Sequence, residues 1–226
     1  MKKNYWEARA ALTPKKVLQL LKVGNERFLN NLHLHRNLLQ LVNDTAEQQF
    51  PLATVLSCSD SRVPTELVFD QSLGDIFSIR LAGNIASTNA IASMEFACKV
   101  LKSKLIVVLG HTNCGAIKGA CDNVQLGNLA HLLDHIKPAV ERETETVRDR
   151  TSHNKTFVSK VSRLNINYQI EEILKQSEIL REMIHNQEIG LIGAQYDVHT
   201  GKVTFYDEQA VFSFGAKIPA IPLAQR

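Results

Sequence analysis

At 226 residues the chain can bury one sizeable hydrophobic core, and its 44% hydrophobic and 22% charged residues exclude a disordered or fibrous class. Its 26 basic and 23 acidic residues are interspersed, and a net charge of +3 is too mild for a nucleic-acid footprint, so no nucleic acid is expected as a partner. The apolar runs are too short to span a bilayer and no apolar leader precedes the first helical pattern, which makes no membrane and a cytoplasmic location the expectation.

The first fifty residues read as helical. Leu12, Val17, Leu20, Leu21, Phe28 and Leu32 recur at helical spacing, with Thr13 placed as N-cap and Pro14 at the first helical position. From Pro51 onward short β-rich runs, "LATVLS", "IFSIR", "KLIVVLG" and "IGLIGAQYDV", alternate with helical segments. That alternation predicts an α/β fold with a mainly parallel central sheet flanked by helices. The helix over 87–102 carries Ile91, Met94, Ala97, Cys98 and Leu101 on one face. The long amphipathic stretch 126–180 is broken at Pro138, and its "VERETETVRDR" segment reads as a solvated face. "YDVHTGKVTFYD" reads as a hairpin turning at His199, Thr200 and Gly201. No repeat or linker divides the chain, so one domain is expected over 1–226, a helical arm at 1–48 preceding an α/β core at 49–226.

In an open α/β sheet the ligand site lies beyond the carboxyl ends of the strands. Two of those ends carry reactive groups, "SCSDSR" and "GHTNCGAIKG". If the two strands are close in the sheet, Cys58, His111 and Cys114 converge, and two thiolates with an imidazole are zinc ligand types that leave a fourth position open. Each cysteine taken alone also fits a buried thiol in a reducing compartment, which is the reading kept for Cys98 and Cys121. Asp60 and Arg62, two apart in a turn, can form a bidentate ion pair that keeps the carboxylate charged and aimed. Beside a metal such a pair has a task; elsewhere on a surface it is worth little.

These segments together, "CSDSRVP", "FDQSLGDIFSIRLAGNIAS", "GHTNCGAIKGA" and "IGAQYDVHTGKV", resemble the β-class carbonic anhydrases over residues 49–207. The resemblance implies one Zn2+ per chain on Cys58, His111 and Cys114, and hydration of carbon dioxide to bicarbonate by a zinc-held hydroxide that the Asp60–Arg62 dyad orients. It assigns substrate contacts to Gln49, nine residues before Cys58, to Phe77 and to Gly83. It also implies that Asp60 can become a fourth zinc ligand in a closed state, as in some family members. The implied assembly is a homodimer or a dimer of dimers, with the amphipathic stretch 12–41 as a candidate clasp, although a helix folded onto its own chain would show the same pattern.

Some relatives have a regulatory bicarbonate site that uses a tryptophan three residues before the first cysteine. Val55 stands there and the one tryptophan is Trp6, so the resemblance implies no such site here. Where some relatives place a tyrosine and a histidine in the central helix, this chain has Phe96 and Val100. His131 and His135 read as surface histidines one turn apart, so no proton shuttle is assigned. Two alternatives use the same ligands. A related hydrolase would act on carbon disulfide or carbonyl sulfide, and a zinc or thiol redox sensor would have no task for Gln49, Asp60 and Arg62.

Overall fold

The structure, a computed structural model, describes residue 9 and residues 11–213; Trp6 lies outside the described residues. Its centre is a five-stranded sheet: β1 (Ala53–Ser57), β2 (Ile76–Arg80), β3 (Leu105–His111), β4 (Gly190–Tyr196) and β5 (Val203–Phe205), in the order β2-β1-β3-β4-β5. All neighbours are parallel except β4 and β5, the antiparallel hairpin expected around Gly201. β1 and β3 are buried at every position. Such unbroken apolar runs form strands covered on both faces rather than on one.

Alternation along these strands sends side chains to two cores. Val55, Val107 and Ile192 meet Val17 and Leu21 of α1 (Pro14–Leu29) on one face. Leu56, Ile106 and Val108 face the other way, onto Met94 of α4 (Thr88–Glu95), Ile166 and Ile170 of α8 (Lys155–Gln176) and Leu180 of α9 (Glu178–His185). Between them in sequence lie α2 (Leu38–Thr45), α3 (Thr65–Val68), α5 (Gly115–Cys121), α6 (Gly127–Asp134) and α7 (Lys137–Arg142). Pro138 falls in the first turn of α7, where its missing N–H costs nothing. Gly110 lets α8 lie against β3, since a Cβ there would sit 2.6 Å from Ile166 Cδ1. Among the described residues no helix is long and apolar enough to cross a membrane.

The arm behaves as two pieces. α1 begins as expected, Thr13 Oγ1 accepting the amide of Lys16 at 3.3 Å, and it folds onto its own chain. It ends at Leu29, so Leu32 falls outside it and is exposed, contrary to the expected helical stripe. α2 buries no residue; Leu38 is 58% and Leu39 78% exposed.

Two other expectations change. The helix after Ser87 is α-helical only to Glu95 and then widens into a π-turn over Phe96–Val100, which leaves Phe96 47% and Val100 59% exposed while Cys98 stays buried. The charged segment after Val140 is not wholly a solvated face. Glu143 is buried, because its carboxylate accepts from Thr146 and pairs with Arg150 at 2.8 Å, and a buried charge is tolerable only with such partners.

Asp70, 3% exposed, ties the link between α1 and α2 to the core through Arg27 at 2.5 Å and Arg36 at 2.8 Å. Burial raises its pKa, but the hydrogen bonds from Arg36 and Arg27 outweigh that and leave it below the ordinary value. A depressed folded pKa means stability that is present above the unfolded value of about 3.9 and lost as pH falls through the folded one. Asp70→Asn is therefore expected to lose about 2–3 kcal/mol in urea unfolding at pH 7, since two guanidiniums lose a charged acceptor. The gap from the unmodified protein should close as pH falls toward 3, a value taken from the unfolded range. A constant gap across pH would refute the charge as its source.

Candidate metal centre

β1 and β3 are direct neighbours, and their register sets Ser57 opposite Leu109. The residues just beyond, Cys58 and the His111 to Cys114 turn, therefore emerge side by side at the carboxyl edge. The donor atoms of Cys58, His111 and Cys114 lie within 4.8 Å of one another, the two sulfurs 3.9 Å apart, and all three residues are buried. Among the described residues this is the one such group of three or more His, Cys, Asp or Glu side chains.

The turn itself explains the convergence. Asn113 takes a positive φ of 61°, which asparagine tolerates better than most residues, and it reverses the chain so that Cys114 caps α5. Thr112 Oγ1 donates to Asp197 at 3.1 Å and fastens the turn to the end of β4. His111 Nδ1 lies 2.9 Å from the Thr112 carbonyl. A carbonyl only accepts, so Nδ1 carries the proton and Nε2 presents its lone pair. That Nε2 is buried and has no hydrogen-bond partner. A buried acceptor without a partner costs stability, and a metal is the partner that fits a nitrogen beside two sulfurs.

Asp60 stands next to this group, its Oδ2 4.0 Å from His111 Nε2. Arg62 holds it twice through the side chain, Nε to Oδ1 at 2.9 Å and Nη2 to Oδ2 at 2.7 Å, and once through its backbone amide at 2.9 Å. These bonds keep the carboxyl well below the usual carboxylate range, the Arg62 side chain being the main cause. The hydrogen bond from Cys114, ahead of the opposing effect of burial, draws the Cys58 thiol down to about 4. The same contact and burial push Cys114 upward, since two thiolates 3.9 Å apart repel, and a cation between them would supply the field that favours both. Cys98, by contrast, is pushed up to about 12 by burial and stays a neutral core thiol.

The other expected residues divide. Gly83 is at the centre: it is buried, has φ of 70°, and its amide donates to Cys58 Sγ at 3.4 Å. A Cβ there would meet Ile136 Cδ1 at 2.5 Å, so only glycine makes this approach. Phe77 lies in mid β2, its ring 6.2 Å from that of Phe96, and Gln49 precedes β1 at the opposite edge of the sheet. Gln49 is exposed beside a cavity of about 760 Å³ that it shares with Leu73, Gly74, Val100 and Leu101. Eight residues, 50–57, lie between it and Cys58, and the five of β1 alone span roughly 16 Å at the rise of a strand. Neither Gln49 nor Phe77 joins the metal group of its own chain.

The structure also adds residues. Arg80, at the end of β2, donates to the Cys58 carbonyl at 3.3 Å and the Asp60 carbonyl at 2.6 Å, which pins the loop between them. From α8, buried Asn165 donates to the Gly83 carbonyl at 3.0 Å, and Gln169 accepts the Ala86 amide at 2.8 Å. The sequence does carry a signal for these two, since Ser162, Asn165 and Gln169 interrupt the apolar face of α8 at helical spacing. His131 and His135 are exposed, as expected of surface histidines.

The family model described as carbonic anhydrase matches residues 53–203. Carbonic anhydrase 2 of Mycobacterium tuberculosis is 32% identical over 190 residues, covering 83% of this chain and 90% of that protein. A carbonic anhydrase of Mycolicibacterium smegmatis is 31% identical, covering 81% and 88%. Among solved structures, the β-carbonic anhydrase CafA of Aspergillus fumigatus superposes with a TM-score of 0.68 at 27% identity, over 75% of this chain and 81% of that one. A structure from a report of two tetrameric β-carbonic anhydrases of Sordaria macrospora gives 0.67 at 27% identity, over 74% and 86%.

Proposed function

Because the chain belongs to the β-class carbonic anhydrase family, we propose that it catalyses the zinc-dependent, reversible hydration of carbon dioxide to bicarbonate and a proton, with Asp60 and Arg62 as its catalytic dyad. The observation that carries this reading is the buried Cys58, His111 and Cys114 donor set with an arginine-held carboxylate at its edge. Two sulfurs and an unpartnered imidazole nitrogen suit zinc, which when bound supplies the Lewis acidity that makes water a nucleophile near neutral pH.

The chain's own groups do the rest. Ionised Asp60 can accept a hydrogen bond but not donate one, so it fixes the attacking oxygen with a lone pair free for the carbon of carbon dioxide. Arg62 keeps that carboxylate charged and prevents it from turning away. Gly83 and Arg80 hold the Cys58 loop in place while charge changes at the site. The proton released passes to buffer.

Gln49 and Phe77 serve, in this reading, the site of a second copy. Three features support a homodimer or dimer of dimers: the exposed apolar residues Leu38, Leu39 and Val42 of α2, the position of β2 at the sheet edge, and the tetrameric relatives of Sordaria macrospora. A Gln49 amide can donate to a developing oxyanion.

The deciding experiment is stopped-flow carbon dioxide hydration on protein with its zinc content measured. Catalysis lost on chelation and regained with zinc is expected; an inert protein holding one zinc per chain would overturn the reading. The shared site has its own test. Unfolding and refolding Gln49→Ala and Asp60→Asn chains together should restore about a quarter of full activity, because half the dimers are mixed and each mixed dimer has one intact site. No recovery in demonstrably mixed dimers would assign Gln49 to its own chain's site and overturn the shared one.

A further inference from the structure

We propose that a second cavity, behind the metal group, binds a doubly charged oxyanion, either inorganic phosphate or the phosphate of a small monoester. The cavity, of about 390 Å³, lies on the α8 side of the sheet's carboxyl edge and shares His111 and Cys114 as part of its wall. Asp60, Arg62, Cys58 and Gly83 are not in that wall, so it is distinct from the side on which the dyad stands.

Three features select an anion. Lys118 and Lys155 both border the cavity, and Lys118 is held by a neutral acceptor, Asn113 Oδ1, at 2.7 Å rather than by a carboxylate. No acidic side chain borders it. Asp122 and Asp197 stand behind the wall, where their carboxylates accept from the amide of Ser152 and from Thr112 and the amide of His199. α8, a 22-residue helix, forms one side through Lys155 in its first turn and Ser159 in its second. Asn154 Oδ1 accepts the Phe157 amide, and helix geometry leaves the amides of Lys155 and Thr156 without an intrahelical acceptor. Those amides and the helix dipole favour negative charge at the same place as the two lysines. His153, His199 and Gln195 complete the donors. The volume exceeds what a bare phosphate needs and sits at the small end of ligand pockets, about 300–1,000 Å³, which leaves room for a short organic group.

This inference does not depend on the hydration activity, and calorimetry tests it separately. Zinc-loaded protein is titrated at low ionic strength with inorganic phosphate and, in a second arm, with glycerol phosphate. One saturable site per chain is expected, with whichever ligand binds tighter identifying the source of the phosphate group. Lys118→Gln with Lys155→Gln should weaken binding at least about tenfold by removing both charges. Ser159→Asp should do the same by repulsion, and a thermal unfolding midpoint equal to that of the wild type separates that loss from unfolding. Both variants should keep the wild-type rate of carbon dioxide hydration. No saturable binding up to about 10 mM, or binding unchanged in both variants, would overturn the proposal. So would binding that survives both variants and disappears when the metal is removed, since the anion would then sit on the metal.

Discussion

Cys58→Ser is expected to leave the purified protein with little zinc and with carbon dioxide hydration near the uncatalysed background. Zinc sites of this kind gain about 10–16 kcal/mol from a full ligand set, so one ligand of three or four carries about 3–5 kcal/mol. That corresponds to a loss of affinity of about 10²–10³-fold or more. Cys114 and the Gly83 amide lie within hydrogen-bond reach of the Cys58 sulfur. A serine hydroxyl at the same place is a poor ligand at neutral pH, and it leaves His111 Nε2 buried and unpaired. Cys98→Ser is the control: it should keep its zinc, since Cys98 is a neutral thiol in the second core. A Cys58→Ser protein with full zinc and full activity would eliminate the site.

Asp60→Asn is expected to keep its zinc and lose about 10²–10⁴-fold in hydration rate, the range a positioned proton acceptor contributes. The amide is nearly the same size and can still accept from Arg62 through its oxygen. Its nitrogen, however, offers a donor where the attacking oxygen needs an acceptor. Metal analysis separates this loss from that of Cys58→Ser. The sign of the pH dependence follows from the same contacts. Arg62 holds Asp60 far below the usual carboxylate range, so Asp60 stays ionised through neutrality and does not shape the pH–rate profile there. An inflection in that range belongs to another group, and Asp60→Asn should lower the plateau without moving it. A rate above about one hundredth of wild type, the lower bound of that range, would remove Asp60 from the chemistry.

Much of this was legible in the amino-acid order. The runs at β1, β3 and β4 announce buried parallel strands because both faces are apolar, and Thr13 with Pro14 marks the start of α1. The ligand types at two strand ends point to zinc before any coordinate does. What escaped is informative in each case. Glu143 looked like one of a run of solvated charges, and only the fold around it shows that Arg150 and Thr146 close over it. The π-turn at Phe96–Val100 has no signature in helical spacing, because a widened turn shifts side chains without changing their order. Arg80 is the last residue of an ordinary edge strand until the register with β1 brings it to the Cys58 loop.

The order of residues alone pointed to the candidate donor set, to the Asp60–Arg62 ion pair, and to the parallel character of the strands that carry them, because each is a matter of residue type and short spacing. Tertiary structure decided the rest. It made β1 and β3 neighbours, which turns distant residues into one buried group. It let Gly83 approach Cys58 through a positive φ. It set Gln49 across the full length of β1 from its own metal group, because a strand rises about 3.3 Å per residue and cannot fold back within five. Register, crossover and burial are non-local, and no spacing within one segment encodes which strand will lie beside it.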